Sequence, residues 1–378
     1  MGGDQGRGVG RGDRRRGDDH PPPRRRSRPP PLVRPPASGP VRRRAARREG
    51  GGGPGRDPQP GRPRRPAAGV TAPIAVLGPG AVGGFVAAAL ARSGAPVTVI
   101  ARESTAQLIA REGIEVRSVG LGDFTAHPPA VPELSEPAGT LLVATKAGGL
   151  DAGLERVRAD PALVVPLLNG LDHMVRLRER FPGRVAAGAI RIEADRPAPG
   201  RIVHTSPFLR IDLASEDAAL RPGLEALAET LVAAEIPARV FDSEADVLWG
   251  KLVRLNALAC TTSAWDVPLG DVRDDPERRA ALEDCVREAV AVAEAEGASI
   301  RVETVLGELD AIHATLRTSM QRDIAAGRTP ELDGIPGAVL RAAARHGLSC
   351  PTIARLTLRI AQRAGIEPPA AAREQAPA

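Results

Sequence analysis

Lysine is scarce in this chain of 378 residues, which contains 50 arginines but only two lysines, Lys146 and Lys251. Asparagine is equally scarce, and its two occurrences are Asn169 and Asn256. Because arginine serves wherever a fixed cation is sufficient, a retained lysine suggests a position that needs an ammonium able to lose its proton. Such a lysine can donate a proton to a carbonyl oxygen while hydride reaches the carbon. Chance retention is the alternative for each residue taken singly.

A second chemical motif is the glycine-rich segment Gly78-Pro79-Gly80-Ala81-Val82-Gly83. It directly follows a predicted strand, 73–77, and opens a predicted helix, 82–91. Glycines in this setting permit a tight turn and let a pyrophosphate approach backbone N–H groups at the helix N-terminus. The motif therefore predicts a dinucleotide site, with an ordinary tight turn as the alternative.

Arg102 follows the second predicted strand, 97–100, and lies 24 residues after Gly78. An NAD-binding domain commonly places Asp or Glu there to accept a hydrogen bond from the ribose 2′-hydroxyl, whereas a guanidinium can pair with a 2′-phosphate. Arg102 therefore favours NADPH/NADP⁺ as the cofactor. The adjacent Glu103 weakens this inference, and a solvated surface charge is the alternative for Arg102.

Strand-like and helix-like segments alternate after the glycine-rich motif, with further strands predicted at 140–144 and 162–168 and a helix at 105–112. This alternation is typical of a parallel sheet with helical crossovers. The pattern becomes strand-like again around 200–213. Lys146 and Asn169 each follow a strand, so we expect both at the carboxyl edge of the sheet, where ligands of such sheets bind.

From about residue 242 onward, long helical runs such as 276–296 and 301–325 replace the strands. The expected architecture is therefore α/β, with a Rossmann-type dinucleotide-binding domain at 71–241 and a helical substrate and catalytic domain at 242–368. Lys251 lies near the start of the helical domain and is expected to face the cleft between the two domains.

The two ends of the chain differ from this body in composition. Residues 1–70 hold 15 Gly, 14 Pro and 19 Arg, and such a segment cannot bury enough apolar surface to offset its ordering entropy. We expect it to be disordered, and residues 369–378 as well. A tether to nucleic acid or membrane is the alternative for the first segment, and a translation start at Val70 is a further hypothesis.

Composition also excludes several classes of protein. The 19 Arg and 6 Asp/Glu of residues 1–70 oppose 33 basic and 40 acidic residues in the remainder, and aromatic residues make up only 2% of the chain. An acidic body without stacking aromatics does not predict nucleic-acid binding. The apolar stretch 71–91 is interrupted by glycines and proline, which argues against a membrane span. Three scattered cysteines and six scattered histidines predict no disulfide framework and no metal site, and they favour the cytoplasm.

Residues 73 to about 368 resemble the ketopantoate reductase (2-dehydropantoate 2-reductase) family. The resemblance rests on the glycine-rich turn, on Arg102, and on the short motifs Thr145-Lys146-Ala147, Asn169-Gly170 and Trp249-Gly250-Lys251. The later segment 318–333 resembles the family's TSM…D…GR…TE-x-D signature, with Ser319, Asp323 and Glu331 at its polar positions. The resemblance implies a Rossmann-type domain followed by an all-helical domain, as in 6-phosphogluconate dehydrogenase.

It also implies NADPH-dependent reduction of ketopantoate to pantoate in pantothenate and coenzyme A biosynthesis. In that reaction Lys251 would be the general acid for the C2 oxygen, Glu331 would hold the substrate and the lysine, and Ser319 would bind the substrate carboxylate. Lys146 and Asn169 would line the nicotinamide and substrate end of the cleft, and Asn256 would bind the substrate. Lys146, Asn169 and Glu331 would also contact the cofactor. A surface loop for Glu331 and a helix cap for Ser319 are the alternatives.

Three features depart from the family pattern. The family asparagine commonly stands four residues after the lysine, whereas Asn256 stands five after Lys251 and so lies about 140° rather than about 40° around an ideal helix. Either a local bulge restores the alignment or Asn256 is structural. Cys260 stands where a second family asparagine is expected, and Pro330 precedes Glu331.

These departures leave the nicotinamide chemistry intact but weaken the assignment of ketopantoate. A reductase of a different 2-keto acid and a non-catalytic NADP-binding protein are the alternative functions. The expected partner is a small 2-keto acid rather than nucleic acid or membrane, and a homodimer is compatible with the sequence.

Overall fold

The computed structural model describes residues 73–376, so the expectations for residues 1–70 lie outside the described part of the chain. The strands are β1 (Ile74–Leu77), β2 (Val97–Ile100), β3 (Ile114–Ser118), β4 (Phe124–Ala126), β5 (Ala130–Val131), β6 (Thr140–Val143), β7 (Leu163–Pro166), β8 (Ala187–Arg191), β9 (Ala194–Ala198), β10 (Arg201–His204), β11 (Arg210–Ala214) and β12 (Ala238–Phe241).

The helices are α1 (Ala81–Arg92), α2 (Glu103–Glu112), α3 (Leu150–Leu154), α4 (His173–Arg180), α5 (Arg221–Ala233), α6 (Glu244–Trp265), α7 (Leu269–Asp274), α8 (Pro276–Ala295), α9 (Val302–Ala311), α10 (Ser319–Ala325), α11 (Ala338–Arg345), α12 (Pro351–Ala364) and α13 (Ala370–Glu374). A 3₁₀ turn spans Ala147–Gly149, and one turn of π-helix spans Asp333–Gly337.

The first part of the chain is built on a parallel sheet with the strand order β5-β2-β1-β6-β7. All four residues of β1, β6 and β7 are buried, which explains why Thr140 is the one polar residue in these three strands, because strands covered on both faces need no polar side. The carboxyl ends of these strands share one edge of the sheet. The prediction of a Rossmann-type α/β domain is confirmed.

A second, three-stranded sheet with the order β12-β11-β8 lies beside β7. Backbone hydrogen bonds from Val164 N to Arg184 O (2.8 Å) and from Ala186 N to Val164 O (3.0 Å) connect the approach to β8 with β7. The chain therefore passes from the parallel sheet to β8, which packs against α6 of the helical part.

A third sheet, with the order β4-β3-β10-β9, covers the other side of α1. Residues 83–90 of α1 are all buried, so this helix is enclosed by the parallel sheet on one side and by β3, β9 and β10 on the other. Close contact is possible because Gly84 leaves room for Ile202: a Cβ on Gly84 would lie 2.8 Å from Ile202 Cδ1. This covering sheet was predicted only as strand-like character around 200–213.

The remainder of the chain is helical and is organised around α6, which packs against α8 and α12. Ser243 begins α6 as an N-cap, since its hydroxyl accepts a hydrogen bond from Asp246 N at 3.0 Å. The helical C-terminal domain is thereby confirmed. Among residues 73–376, no helix combines the length and the apolar character needed to cross a bilayer.

Two expectations for the C-terminal part of the chain need correction. The run 301–325 is not one helix, because residues 312–318 form a loop between α9 and α10 that contains a turn at 314–315 and runs along α7. There Leu269 N and Gly270 N donate to Leu316 O (3.1 Å) and Ala314 O (2.8 Å). The expected disordered segment from 369 contains α13, which is held by Gln375: its side chain bonds Cys350 N and Leu340 O, both at 2.9 Å.

Candidate active site

The glycine-rich segment forms a tight turn between β1 and α1. Gly78 has φ +89°, a conformation that side chains rarely adopt, and a Cβ on Gly83 would lie 2.2 Å from Gly78 O. Around Gly80, in contrast, the nearest atom to such a Cβ is 3.9 Å away, so the turn is open above this residue. The first turn of α1 holds no acidic residue. These features fit a dinucleotide pyrophosphate against the helix N-terminus.

Arg102 lies just beyond β2, where it is the residue that precedes α2. The neighbouring strand end carries the glycine-rich turn, since Gly78 N donates to Ile100 O at 3.0 Å. The Arg102 side chain is exposed, as is Glu103, which is occupied by a hydrogen bond from Gln107 (2.7 Å). Arg102 therefore lies exposed at the strand end next to the glycine-rich turn.

Lys146 follows β6 at the carboxyl edge of the sheet and connects it to the helical domain. Its ammonium lies 2.8 Å from Asp323 Oδ2 on α10. The other carboxylate oxygen of Asp323 accepts from Arg328 Nε at 2.8 Å. Because Asp323 is only 8% exposed, two cations compensate for the burial of its charge. The sequence alone assigns Asp323 no role beyond its place in the segment 318–333.

Asn169 follows β7 and makes a second connection to the helical domain. Its amide nitrogen donates to Glu331 Oε2 at 3.0 Å. The next residue, Gly170, has φ +85°, and a Cβ on it would lie 2.1 Å from Gly334 O in the π-helical turn. Glycine is therefore required here both by conformation and by space. Glu331 is partly buried and is not a free surface residue.

Lys251 projects from α6 toward the same strand end, where its ammonium donates to Leu168 O at 3.4 Å. Burial lowers the pKa of Lys251 to about 8, although the nearby carboxylate of Glu331 raises it, and the positive charges of Arg254 and Arg191 lower it further. A lysine with this pKa is largely protonated at neutral pH and can still release its proton. The structure thus brings Lys251, Asn169 and Glu331 together.

Two arginines stand beside Lys251 and share one carboxylate. Arg191 and Arg254 lie 3.3 Å and 3.4 Å from Glu308 Oε2, and Arg191 also donates to Gly250 O at 3.4 Å. Burial and the charge of Arg191 lower the pKa of Arg254 to about 10. The environment of the lysine is therefore electropositive, which suits an anionic substrate.

His173 is a buried titratable residue near this site, at the start of α4. Within the described residues its Nε2 has no hydrogen-bond partner. Burial and the charge of Lys251 lower the pKa of His173 to about 4, although Asp172 raises it. The imidazole is consequently neutral at physiological pH. Sequence reasoning did not identify it.

Ser319 is the first residue of α10, and its side chain is exposed. The helix cap is its neighbour Thr318, whose hydroxyl accepts from Gln321 N while Gln321 Oε1 accepts from Thr318 N at 3.0 Å. Ser319 lies one helical turn before Asp323, so both face the same side of α10. The Ser319 hydroxyl therefore does not cap the helix and is exposed.

Asn256 departs from the expectation that it binds substrate. The helix α6 is continuous through this region, so no bulge brings Asn256 to the face that carries Lys251. Asn256 is fully buried, its Oδ1 accepts from Cys260 Sγ at 3.5 Å, and its Nδ2 finds no partner in residues 73–376. Leu255 occupies the position four residues after Lys251 and lies beside the lysine at a common cavity.

The described residues contain no cluster of His, Cys, Asp or Glu arranged to hold a metal ion. The polar groups that converge at the carboxyl edge are instead a lysine of lowered pKa, an amide and carboxylates. Together with the dinucleotide turn on the same edge of the sheet, this set can bind an anionic carbonyl compound and protonate its oxygen.

Comparison with known proteins agrees with this arrangement. The model of the family "Ketopantoate reductase PanE/ApbA" matches residues 74–215, and the model of its C-terminal domain matches residues 245–366. A 2-dehydropantoate 2-reductase of Caulobacter vibrioides is 30% identical over 290 residues, covering 74% of this chain and 94% of that protein.

Solved structures show the same fold. A 2-dehydropantoate 2-reductase of Geobacter metallireducens superposes with a TM-score of 0.70 at 26% identity, covering 76% of this chain and 99% of that one. A D-mandelate dehydrogenase solved with NADH and anilino(oxo)acetate has a TM-score of 0.71 at 22% identity and covers 77% of this chain and 98% of its own. Both family models, together with the relative from Caulobacter, show that this chain is an oxidoreductase belonging to the ketopantoate reductase family.

Proposed function

We propose that this protein reduces a 2-keto acid to the 2-hydroxy acid with NADPH, and that ketopantoate, giving pantoate for pantothenate synthesis, is the first substrate to test. The observation that carries the proposal is the position of Lys251: its ammonium is directed at the end of β7 beside Asn169 and Glu331, and its pKa is lowered to about 8.

The glycine-rich turn at 78–83 would hold the dinucleotide, whose reduced nicotinamide would supply hydride to C2 of the keto acid. Lys251 donates its proton to the oxygen on C2, so that the carbonyl becomes a hydroxyl and the lysine is left neutral. Before that step the ammonium stabilises the negative charge that develops on the oxygen. The proton is regained from solvent after the product leaves.

Three other residues orient the reactants. Glu331 holds Asn169 by a hydrogen bond and raises the pKa of Lys251, which keeps the lysine protonated for the next cycle. Ser319 offers a free hydroxyl for the substrate carboxylate at the exposed end of α10. Lys146, held by Asp323, provides a cation at the nicotinamide end of the cleft.

The preference for NADPH over NADH rests on Arg102. Its guanidinium is exposed at the end of β2 and can form charge-assisted hydrogen bonds with a 2′-phosphate. Glu103 is bound by Gln107 and is directed into its own helix. The fit of the turn to the pyrophosphate is shared by both cofactors, so the discrimination depends on this one side chain.

A second candidate function is the reduction of a different 2-keto acid. The specific observation in its favour is the placement of Asn256, which is buried away from Lys251, and the presence of Leu255 in its stead. We further expect the protein to work in the cytoplasm, with its three buried cysteines unbridged, and light scattering of the purified protein would test for a homodimer.

The deciding experiment mixes purified protein with NADPH and ketopantoate and follows the absorbance of the reduced nicotinamide, with NADH in parallel. Rapid oxidation that is selective for NADPH supports both the reaction and the role of Arg102. Binding of NADPH without oxidation by any 2-keto acid, including hydroxyl-free ones, would contradict the proposal.

A further inference from the structure

Asn169 and Glu331, whose side chains share a hydrogen bond of 3.0 Å, both lie outside helices and strands. Asn169 belongs to the loop between β7 and α4, and Glu331 belongs to the loop between α10 and the π-helical turn. Side chains on loops keep their place only where other contacts hold the loops. One hydrogen bond contributes only about 1 kcal/mol, so it is a weak link between the two segments, 169–172 and 331–334.

Arg341, on α11, is bound to both segments. Its Nη2 donates to Asp172 Oδ2 at 2.5 Å and to Asp333 O at 2.9 Å, and its Nη1 donates to Asp333 Oδ1 at 2.6 Å. Asp172 stands three residues after Asn169, and Asp333 stands two residues after Glu331. The guanidinium therefore ties the segment that carries Asn169 to the segment that carries Glu331.

Glycines allow the segments and the guanidinium to come this close. A Cβ on Gly170 would lie 2.1 Å from Gly334 O, and a Cβ on Gly337 would lie 3.1 Å from Arg341 Nη1. The Arg341 side chain is 33% exposed, so solvent screens its bonds only in part. Charge-assisted hydrogen bonds from both terminal nitrogens restrict the positions of both segments.

The position of Glu331 matters because its carboxylate acts on Lys251. Burial lowers the pKa of Lys251, whereas Glu331 raises it. Arg254 on α6 and Arg191 on β8 also face the ammonium and lower its pKa further, and His173 on α4 is neutral at physiological pH. A movement of Glu331 away from the lysine would therefore lower the pKa of the ammonium.

The following inference concerns the same site and rests on the proposed function. We propose that Arg341 is a positioning residue for the reduction, which holds the segment of Asn169 against the segment of Glu331. It acts on the proton donor, Lys251, only through the Glu331 carboxylate. The arginine itself lies on a different helix from the lysine, on α11 rather than α6.

A positioning role has a signature that a merely stabilising ion pair lacks. Loss of the Arg341 charge by itself would raise the pKa of Lys251, because one cation fewer would lie in its surroundings. Release of Glu331 would instead lower that pKa, because the lysine would lose a neighbouring carboxylate. The sign of the change therefore separates the two effects.

The test measures the pKa of Lys251 directly by NMR. Lys146 and Lys251 are the only lysines of the chain, so protein grown with ¹³C-lysine gives two lysine signals, which Lys146→Arg assigns. In Arg341→Gln we expect the pKa of Lys251 to fall by about half a pH unit or more. Arg345→Gln is the matched control on α11: it removes an arginine bound to Glu296 at 2.9 Å and should leave the pKa unchanged.

A pKa of Lys251 that stays constant or rises in folded Arg341→Gln would overturn the inference. If that variant does not fold, Arg341→Lys takes its place, because it keeps the charge and loses the planar fork that reaches both segments. The pKa of Lys251 should fall in this variant too, and an unchanged value would again overturn the inference.

Kinetics separate this inference from the proposed function. In an active protein, Arg341→Gln should lower kcat/KM for the 2-keto acid about tenfold, and the fall of kcat/KM with rising pH should begin at lower pH. An unchanged pH profile would overturn the role of Arg341. If the unchanged protein reduces no 2-keto acid, the proposed function fails, whereas a lowered pKa of Lys251 in the variant would still support Arg341 as the residue that positions Glu331.

Discussion

The ammonium of Lys146 lies 2.8 Å from the carboxylate of Asp323, which is 177 residues further along the chain. This ion pair joins the carboxyl edge of the parallel sheet to the first turns of α10. The lysine is 59% exposed whereas the aspartate is 8% exposed, so the buried carboxylate fixes the position of a cation that still faces the cleft. We therefore expect Asp323 to act on ligands only through Lys146.

We expect Asp323→Asn to raise the KM for the keto acid several-fold, because Lys146 loses the group that orients it. The loss of unfolding free energy should be only about 1 kcal/mol, since one partner of the pair is exposed. Initial rates and urea unfolding measure the two quantities. Asp151→Asn is a matched control, because it removes an equally short pair with Arg176 (2.8 Å) between exposed side chains and should change neither.

Lys251→Ala should lower kcat by about 10²–10⁴ while dinucleotide affinity stays nearly unchanged, because the variant loses the proton donor but keeps the glycine-rich turn. Single-turnover rates and fluorescence titration separate the two effects. Arg355→Ala, an exposed change on α12, serves as the control. Turnover close to that of the unchanged protein would remove Lys251 from the role of general acid.

The pH dependence of keto acid reduction should follow the titration of Lys251. The reaction requires the protonated lysine, and its pKa is about 8, so kcat/KM should be constant below that pH and fall as the pH rises above it. Glu331→Gln should move the falling limb to lower pH, because the carboxylate raises the pKa of Lys251. Initial rates from about pH 6 to about pH 10 measure both profiles. If kcat/KM of Lys251→Ala still falls over the same pH range, a group other than Lys251 causes the fall.

Arg102→Ala should reduce the preference for NADPH over NADH by about 10- to 100-fold, the effect of losing hydrogen bonds to a charged group. The ratio of kcat/KM for the two cofactors is the measurement. Arg111→Ala removes an exposed arginine at the far end of the same helix and should leave the ratio as it was. If both variants behave alike, the 2′-phosphate is recognised elsewhere.

His173 should make the folded protein less stable at acidic pH. Its pKa is about 4 when folded and near 6.5 when unfolded, so the unfolded chain binds the proton first as the pH falls. Its contribution is fully present above about pH 6.5 and decreases by about 3 kcal/mol as the pH falls to about 4. His204 is also buried with a lowered pKa and acts in the same direction.

Unfolding free energies of the unchanged protein and of His173→Leu, measured across this range, isolate the contribution of His173. The difference between them should change with pH, whereas the exposed His127→Leu should run parallel to the unchanged protein. Parallel curves for His173→Leu would show that His173 is not buried in its neutral form.

Local signals made the parallel sheet and its turn predictable. Runs that are almost entirely apolar, such as 140–143 and 163–166, are readable because strands buried on both faces carry few polar residues. The sheet over α1 was missed as a sheet because β3 is short and alternates its buried residues with charged ones, and because β9 is exposed or half-buried throughout. Its stability comes from pairing between β3 and β10, which are far apart in sequence.

The residues of the site also differ in whether local sequence signals or only tertiary contacts reveal them. Lys146, Asn169 and Lys251 were recognisable from scarcity of residue type and from their places after strands or in the helical part. The partners of these residues were not, because Asp323 meets Lys146 only through the packing of α10. The phase of Asn256 on α6 could be counted from the sequence, but whether the helix keeps its phase is decided by tertiary structure.

The enclosure of α1 between two sheets has a consequence for how this family can diversify. Because α1 is packed on both sides, with Ile202 against Gly84, a displacement of this helix would disturb both sheets, and we expect the glycine-rich turn to keep its position at the sheet edge. Arg102, exposed just beyond β2, and Leu255, half-buried on α6, are not enclosed in this way. We therefore expect single exchanges at either residue to leave the glycine-rich turn where it is.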